Sequence, residues 1–103
     1  MKSLDCCLTI VLPQPLEEDL VDYMLEHPDW VSGFVIGRME GTGQSVPLQG
    51  LSELVRGRSP RVQLQVVMAR DEARQLIESL KSAFPSPEVA YWVTPVLEFG
   101  RLA

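Results

Sequence analysis

The sequence lacks the features that define several classes of protein. No apolar run reaches the roughly 20 residues that a membrane span needs, so we expect no membrane insertion. The two cysteines, Cys6 and Cys7, are adjacent and do not form a long-range disulfide with each other. The first residues also lack the charged stretch, apolar core and cleavage site of a signal peptide. Together these absences predict a reduced, cytoplasmic protein.

The motifs of several enzyme classes are missing as well. The sequence contains no HExxH pattern, no GxxxxGKS or GxxxxGKT pattern and no CxxC pattern. Its single histidine is not ordered with serine and aspartate as in the hydrolase triads. There is no asparagine, which is the catalytic residue of acylphosphatases. These absences predict a protein that is not an enzyme.

Positive charge is scarce and unevenly distributed. The net charge is -5, from 9 lysines and arginines against 14 aspartates and glutamates, so the protein as a whole repels nucleic acid and anionic membranes. The exception is the segment 41–61, in which Arg56, Arg58 and Arg61 outnumber the one acid, Glu53. This segment also has no hydrophobic periodicity, and irregular loops of such length are usually functional or disordered.

The spacing of apolar residues predicts four strands and two helices. The strands are expected over residues 4–12, 30–40, 61–68 and 89–99. One helix opens after Pro15 and stops at Pro28, and the other begins with Asp71 as its N-cap and ends at Pro85. Pro95 in the last strand predicts a sheet edge, because proline cannot donate to the ladder.

The order β-α-β-β-α-β predicts an α+β fold in a single domain over residues 1–103, with a long loop at about 41–60. Right-handed crossovers give a four-stranded antiparallel sheet with two helices on one face, which is the ferredoxin-like plait. The other sheet face carries Cys7, Thr9, Val11, Gln63, Gln65 and Val67. That face is too apolar to be left in water, so we expect a partner subunit to cover it.

Two segments beside the long loop, together with the order of the elements, resemble the PII-like signalling family. They are GRMEGTGQ at 37–44 and LVRGRSPRV at 54–62. Two further segments, LEHPDWVSGF at 25–34 and YWVTPVLEFGRL at 91–102, resemble a small bacterial branch of PII-like proteins, of unknown function, which we associate with heavy-metal efflux gene clusters. The resemblance implies a homotrimer of this plait, in which a long mobile loop, the family's T-loop, joins the second and third strands and docks on target proteins.

The resemblance also implies a ligand site and a docking element. The family's glycine pair at the loop base corresponds to Gly41 and Gly43, and Gln44 follows them. The basic residue that opens the family's third strand corresponds to Arg61. Because glycine lets backbone N–H groups approach a phosphate, a small anionic ligand is expected there. Arg56-Gly57-Arg58 corresponds to an Arg-Gly pair in the family's docking loop. Without the resemblance, these residues would be turn glycines and a solvated basic loop.

Two departures from the family pattern bear on the ligand. Nucleotide-binding members have a second glycine-rich, lysine-bearing loop before the fourth strand, where this chain has Phe84-Pro85-Ser86-Pro87-Glu88. Residues 41–61 contain no tyrosine, so the residue that is modified in nitrogen-regulatory members is missing. We therefore expect weak or absent ATP binding. The cofactor stays open, with a smaller anion, another nucleotide or a metal complex ranked above ATP.

These features favour a non-catalytic PII-like homotrimer that senses a small ligand at the clefts between subunits. Its loop would dock on an enzyme, a membrane transporter or an efflux component. The alternative is a metal-responsive or metal-binding trimer linked to heavy-metal tolerance. Its candidate ligands are Cys7, as one of three thiolates near a threefold axis, and His27. In isolation, Cys7 is more typical of a small buried apolar residue, and His27 of a partner for the helix dipole.

Overall fold

A four-stranded antiparallel sheet carries two helices on one face in the computed structural model, which describes residues 3–41 and 59–103. The strands are β1 (Cys6–Pro13), β2 (Val35–Gly41), β3 (Ser59–Met68) and β4 (Ala90–Pro95). The helices are α1 (Glu17–Leu25), entered through a short 3-10 turn at Gln14–Leu16, and α2 (Arg70–Ala83). The strand order across the sheet is β2-β3-β1-β4, and every neighbouring pair is antiparallel. This arrangement confirms the predicted ferredoxin-like plait.

The predicted strand bounds differ by two residues at the starts of β1 and β3, and by more at the start of β2 and the end of β4. β2 begins at Val35 rather than at residue 30, because the chain turns after α1 and the N–H groups of Trp30 and Val31 both donate to the carbonyl of His27. Gly33 therefore lies before the strand. β4 ends at Pro95 rather than at residue 99, because its partner strand β1 begins at Cys6, directly opposite Pro95. β4 does form one edge of the sheet, as Pro95 predicted.

The core lies between the sheet and the helices. Alternate side chains of the two central strands point into it, and apolar side chains of both helices meet them. Its members are Cys6, Leu8, Ile10 and Leu12 of β1, Val62, Leu64, Val66 and Met68 of β3, Leu20 and Met24 of α1, Ala73, Leu76 and Ile77 of α2, and Val31. This single apolar layer fixes both helices on one face of the sheet.

The N-terminus of α2 is capped from outside its own segment. The N-cap residue is Ala69, which makes no side-chain cap, so the prediction of Asp71 in that role was wrong. Instead, the backbone N–H of Arg70 donates to Oδ1 of Asp5, at 2.9 Å. Asp71 lies in the first turn, where a carboxylate still favours the helix dipole.

The second sheet face has no covering layer in the described chain. The antiparallel register places Thr9 between Gln65 and Trp92, and Thr9 is only 1% exposed while Trp92 is 46% exposed. Nε2 of Gln65 donates to Oγ1 of Thr9 at 3.4 Å, so these two polar side chains at the centre of the face are paired with each other. Beside them on β2, a Cβ placed on Gly37 would meet nothing within 4 Å. We call this surface the open face.

Candidate functional site

Arg61 is the charged residue that the fold buries most deeply among those described. It lies near the start of β3, opposite Pro13 of β1 and Met39 of β2, and its side chain is 2% exposed. Because Val62 points into the core, the alternation of the strand directs Arg61 toward the open face. Nη1 donates to the carbonyl of Pro60 at 3.4 Å, and Arg61 has further interactions in the folded chain.

The structure brings two of the predicted ligand residues to one end of the sheet. On β2, Met39 pairs with Arg61 and Gly41 pairs with Ser59. Met39 and Gly41 are two residues apart, so both lie on the same face of the sheet as Arg61. Backbone at Gly41 and the guanidinium of Arg61 therefore share the base of the β2–β3 connection. The remaining predicted residues of this connection, Gly43, Gln44, Arg56, Gly57 and Arg58, lie outside the described residues.

The opposite side of this end of the sheet is acidic. The first turn of α1 holds Glu17, Glu18 and Asp19, and a shallow cleft of about 480 Å³ opens beside the first two. Nη1 of Arg38, which points to the helical face of β2, lies 3.0 Å from Oε1 of Glu17 and offsets part of that charge. An anion is repelled from this cleft, so the electrostatics favour the open face near Arg61.

The segment that replaces the second glycine-rich loop is a tight turn with its own hydrogen bonds. Oγ of Ser86 accepts from the N–H of Glu88 at 3.2 Å, and the carbonyl of Ser86 accepts from the N–H of Val89 at 3.3 Å. Pro85 and Pro87 have no N–H to offer. The N–H groups of Glu88 and Val89 are therefore engaged within the turn and the two prolines supply none, so few backbone donors remain for a phosphate. This geometry supports the sequence-based expectation that ATP lacks contacts at this position.

The two weak metal candidates are on opposite sides of the sheet. Cys7 is half-buried on the open face, opposite Val67 and Thr94. His27 follows α1 in the helical layer, where its ring stacks on Trp30 at 5.2 Å and tilts against Tyr23 at 4.6 Å. One chain cannot bring these two side chains to a single ion. Within residues 3–41 and 59–103, no group of three or more His, Cys, Asp or Glu side chains is placed to hold a metal.

Sequence patterns gave no sign of a large apolar cavity between the helices and β1. Its volume is about 510 Å³, and the Ser86 turn forms part of its wall. Every apolar residue that lines it fits a normal core pattern, so only the spacing of the helices reveals the space.

In the described parts of the chain, neither helix is long and apolar enough to cross a membrane.

A comparison with known protein families identifies the family of this chain. The model of the family described as "Protein of unknown function (DUF3240)" matches residues 2–103. The chain belongs to the DUF3240 family. No curated protein matches this DUF3240 chain.

Three solved structures are similar in fold to this chain. A DUF3240 family protein from Shewanella baltica OS155 is 19% identical, with 98% of this chain and 99% of that chain covered and a TM-score of 0.76. CPII, a nitrogen regulatory PII-like protein from Thiomonas intermedia K12 bound to ADP, AMP and bicarbonate, is 18% identical, with 96% of each chain covered and a TM-score of 0.69. CutA1 from Pyrococcus horikoshii is 12% identical, with 94% and 88% covered and a TM-score of 0.70. The predicted resemblance to PII-like proteins is confirmed, and at these identities the likeness establishes the fold.

Proposed function

We propose that this DUF3240 chain is a non-catalytic PII-like regulator that works as a homotrimer in the cytoplasm. It senses a small anion at the clefts between subunits and docks the connection between β2 and β3 on a transporter or an enzyme. The observation that carries the proposal is the position of Arg61 at the base of that connection, beside Gly41. A guanidinium binds carboxylates and phosphates through strong, often bidentate hydrogen bonds, in addition to the interactions that Arg61 already makes in the folded chain.

The open face supports the trimer. Cys7, Val11, Val67 and Trp92 give it apolar surface, and the hydrogen bond between Gln65 and Thr9 reduces the polarity of its centre. Such a face loses little on leaving water. Since Arg61 points to the same face, a subunit that covers the face would also complete the walls of the anion site.

The same geometry supports a small anion rather than ATP. CPII, which shares the fold, was solved with ADP, AMP and bicarbonate. Here the two prolines and the internal hydrogen bonds of the Ser86 turn leave few N–H groups for a second phosphate cradle. We therefore rank bicarbonate and AMP above ATP as ligands of this chain, with Gly41, Gly43, Gln44 and Arg61 in contact with the anion.

The docking element is Arg56-Gly57-Arg58. Its positive charge in an acidic chain favours an acidic surface on the partner. A membrane transporter or an efflux component that exposes acidic residues on its cytoplasmic side fits this charge.

Calorimetric titration with bicarbonate, AMP, ADP and ATP tests the site. Wild-type protein should bind at least one of the first three, and Arg61→Gln should weaken that binding about tenfold or more, as expected for a lost charge-assisted hydrogen bond. Arg38→Gln is the matched control, because Arg38 is an exposed arginine on the other face of the same end of the sheet. Its affinity should be unchanged.

Two results would contradict the proposal. Equal affinity in wild-type protein and a folded Arg61→Gln variant would mean that the anion site lies elsewhere. Tight, Mg²⁺-dependent ATP binding would mean that the Ser86 turn does not limit the ligand. Circular dichroism of the variant establishes that it is folded.

A metal-binding trimer is the second candidate function. It is favoured by one observation, the half-buried thiol of Cys7 on the open face, where three copies would meet around a threefold axis. Three thiolates are a set that suits Cu(I) or Zn²⁺.

A further inference from the structure

The cavity between the helices and the sheet is lined almost entirely by apolar side chains. Its floor is formed by Leu8, Ile10 and Leu12 of β1, which are otherwise part of the core. Leu20 of α1 and Phe84 after α2 form opposite walls. Its volume of about 510 Å³ lies within the range of small-molecule sites.

The cavity exists because the helices meet at one side only. Tyr23 of α1 makes that connection, since its hydroxyl hydrogen-bonds to the hydroxyl of Ser79 of α2 and its ring meets Phe84 edge-on at 5.4 Å. Toward β4, Leu80 of α2 packs against the core and also lines the cavity. The cavity is half open to solvent, so a ligand can enter it without a change of the fold.

The mouth of the cavity carries positive charge. Among the described lining residues, Lys81 is the only charged one. Its Nζ lies 5.7 Å from the centre of the Tyr91 ring and 3.5 Å from Oε2 of Glu78, which is outside the cavity. Hydrogen bonding to Tyr91, followed by the charges of Tyr91 and Glu78, raises the pKa of Lys81. An exposed lysine is already protonated at neutral pH at its ordinary pKa.

A second polar group of the lining can donate to an anion. Oγ of Ser86 accepts its hydrogen bond from the N–H of Glu88, so the hydroxyl hydrogen of Ser86 is not used in that bond. Ser86 and Lys81 both belong to the lining. A carboxylate accepts from an ammonium and a hydroxyl together without leaving an oxygen unsatisfied.

We infer that this cavity binds an amphipathic carboxylate with an apolar chain, such as a medium-chain fatty acid. The chain of the ligand lies against the partly exposed lining residues Leu16, Leu80 and Phe84, and its carboxylate pairs with Lys81 at the mouth. Charge complementarity favours this occupant over a neutral apolar molecule, which would leave Lys81 without a partner from the ligand. The inference does not depend on the anion site, because Arg61 is on the opposite face of the sheet and none of the residues named for that site lines the cavity.

Titration with decanoate and with its neutral counterpart decanol tests the inference. Both are added below their aggregation limits, and binding is followed by calorimetry and by the NMR shifts of leucine and isoleucine methyl groups. Lys81→Met should weaken decanoate binding about threefold to fivefold, the range for a partly exposed ion pair, and should leave decanol unchanged. Arg74→Met, which removes a charge from an exposed position of α2 away from the cavity, should change neither ligand.

A third variant separates ion pairing from a structural effect. Glu78→Gln removes the carboxylate that competes for Lys81, so it should tighten decanoate binding while a merely structural role for Lys81 would leave it unaltered. Leu80→Phe should fill the cavity and abolish binding of both ligands. If Leu80→Phe fails to fold, the decanoate affinities of Lys81→Met and Arg74→Met still test whether Lys81 pairs with the ligand.

Four outcomes would overturn the inference. The first is that decanoate shows no saturable binding to wild-type protein. The second is that decanol binds as well as decanoate. The third is that Lys81→Met and Arg74→Met bind decanoate equally. The fourth concerns the exposed apolar segment after β4, which includes Leu97 and Leu102. If decanoate binds only after removal of residues 96–103, that segment of the chain or of a second copy is the native occupant.

Discussion

Asp5 and Arg70 are joined by a hydrogen bond in which Oδ1 of Asp5 accepts the backbone N–H of Arg70 at 2.9 Å. The residue before β1 thus caps the helix that follows β3. Next to it, Sγ of Cys6 donates to the carbonyl of Met68 at 3.3 Å, and the N–H of Val96 donates to the carbonyl of Asp5 at 3.0 Å. One corner of the fold therefore connects β1, α2 and the end of β4.

Removing this cap should destabilise the protein. Asp5→Ala leaves the N–H of Arg70 without its acceptor and should lower the free energy of unfolding by about 1 kcal/mol, measured by urea titration. Asp5→Asn keeps an acceptor and should cost less. Asp71→Ala is the control, because Asp71 contributes only through the helix dipole, and its cost should be about half as large or smaller. A larger loss in Asp71→Ala than in Asp5→Ala would contradict the assignment of the cap.

The cap of α2 is a contact that the sequence alone did not predict. Asp71 has the residue type and local position of an N-cap, and nothing local distinguishes it from a first-turn acid. Asp5 is 65 residues away from Arg70, and its role follows from the pairing of β1 with β3, which brings Cys6 opposite Met68. The elements and their order were predictable from periodicity, but a contact made through the tertiary fold was not.

Stability should decrease in alkali because of Cys6. Burial, and next the negative charge of Asp5, raise the pKa of the Cys6 thiol above its ordinary value. The folded state then holds this proton more tightly than the unfolded state does, so rising pH favours unfolding once it passes the ordinary thiol pKa of about 8.5. Urea titrations at several pH values should show this decline in wild-type protein and in Cys7→Ala, but a smaller one in Cys6→Ala. Parallel curves for wild-type and Cys6→Ala would refute the assignment.

Any metal bound by this protein should depend on Cys7 and not on His27. The fold places the two on opposite sides of the sheet, so a site built from described side chains requires Cys7 from several copies. Titration with Cu(I) or Zn²⁺ should then give one ion for three chains, lost in Cys7→Ser and retained in His27→Ala. Loss of binding in His27→Ala would show that the metal candidate has been placed wrongly.

The part of the candidate site that lies on strands β2 and β3 was predictable from the sequence. The alternation of β3 and the facing ends of β2 and β3 place Gly41 and Arg61 together. The deep burial of Arg61 was not predictable, because a charged residue at a strand end is usually exposed. Nor was the cavity beside Lys81, since it depends on the separation of two helices whose apolar faces look ordinary in sequence.

The central claim is that the open face is the surface on which three copies assemble, and light scattering coupled to gel filtration tests it most directly. At micromolar concentration, wild-type protein should have about three times the chain mass of 11.5 kDa. Gly37→Arg should give the monomer mass, because the open space above Gly37 accommodates the side chain within one chain but not under a second. Ser82→Arg adds the same charge on the exposed side of α2 and should remain trimeric. A wild-type mass of 11.5 kDa, or a trimer that tolerates Gly37→Arg, would contradict the account.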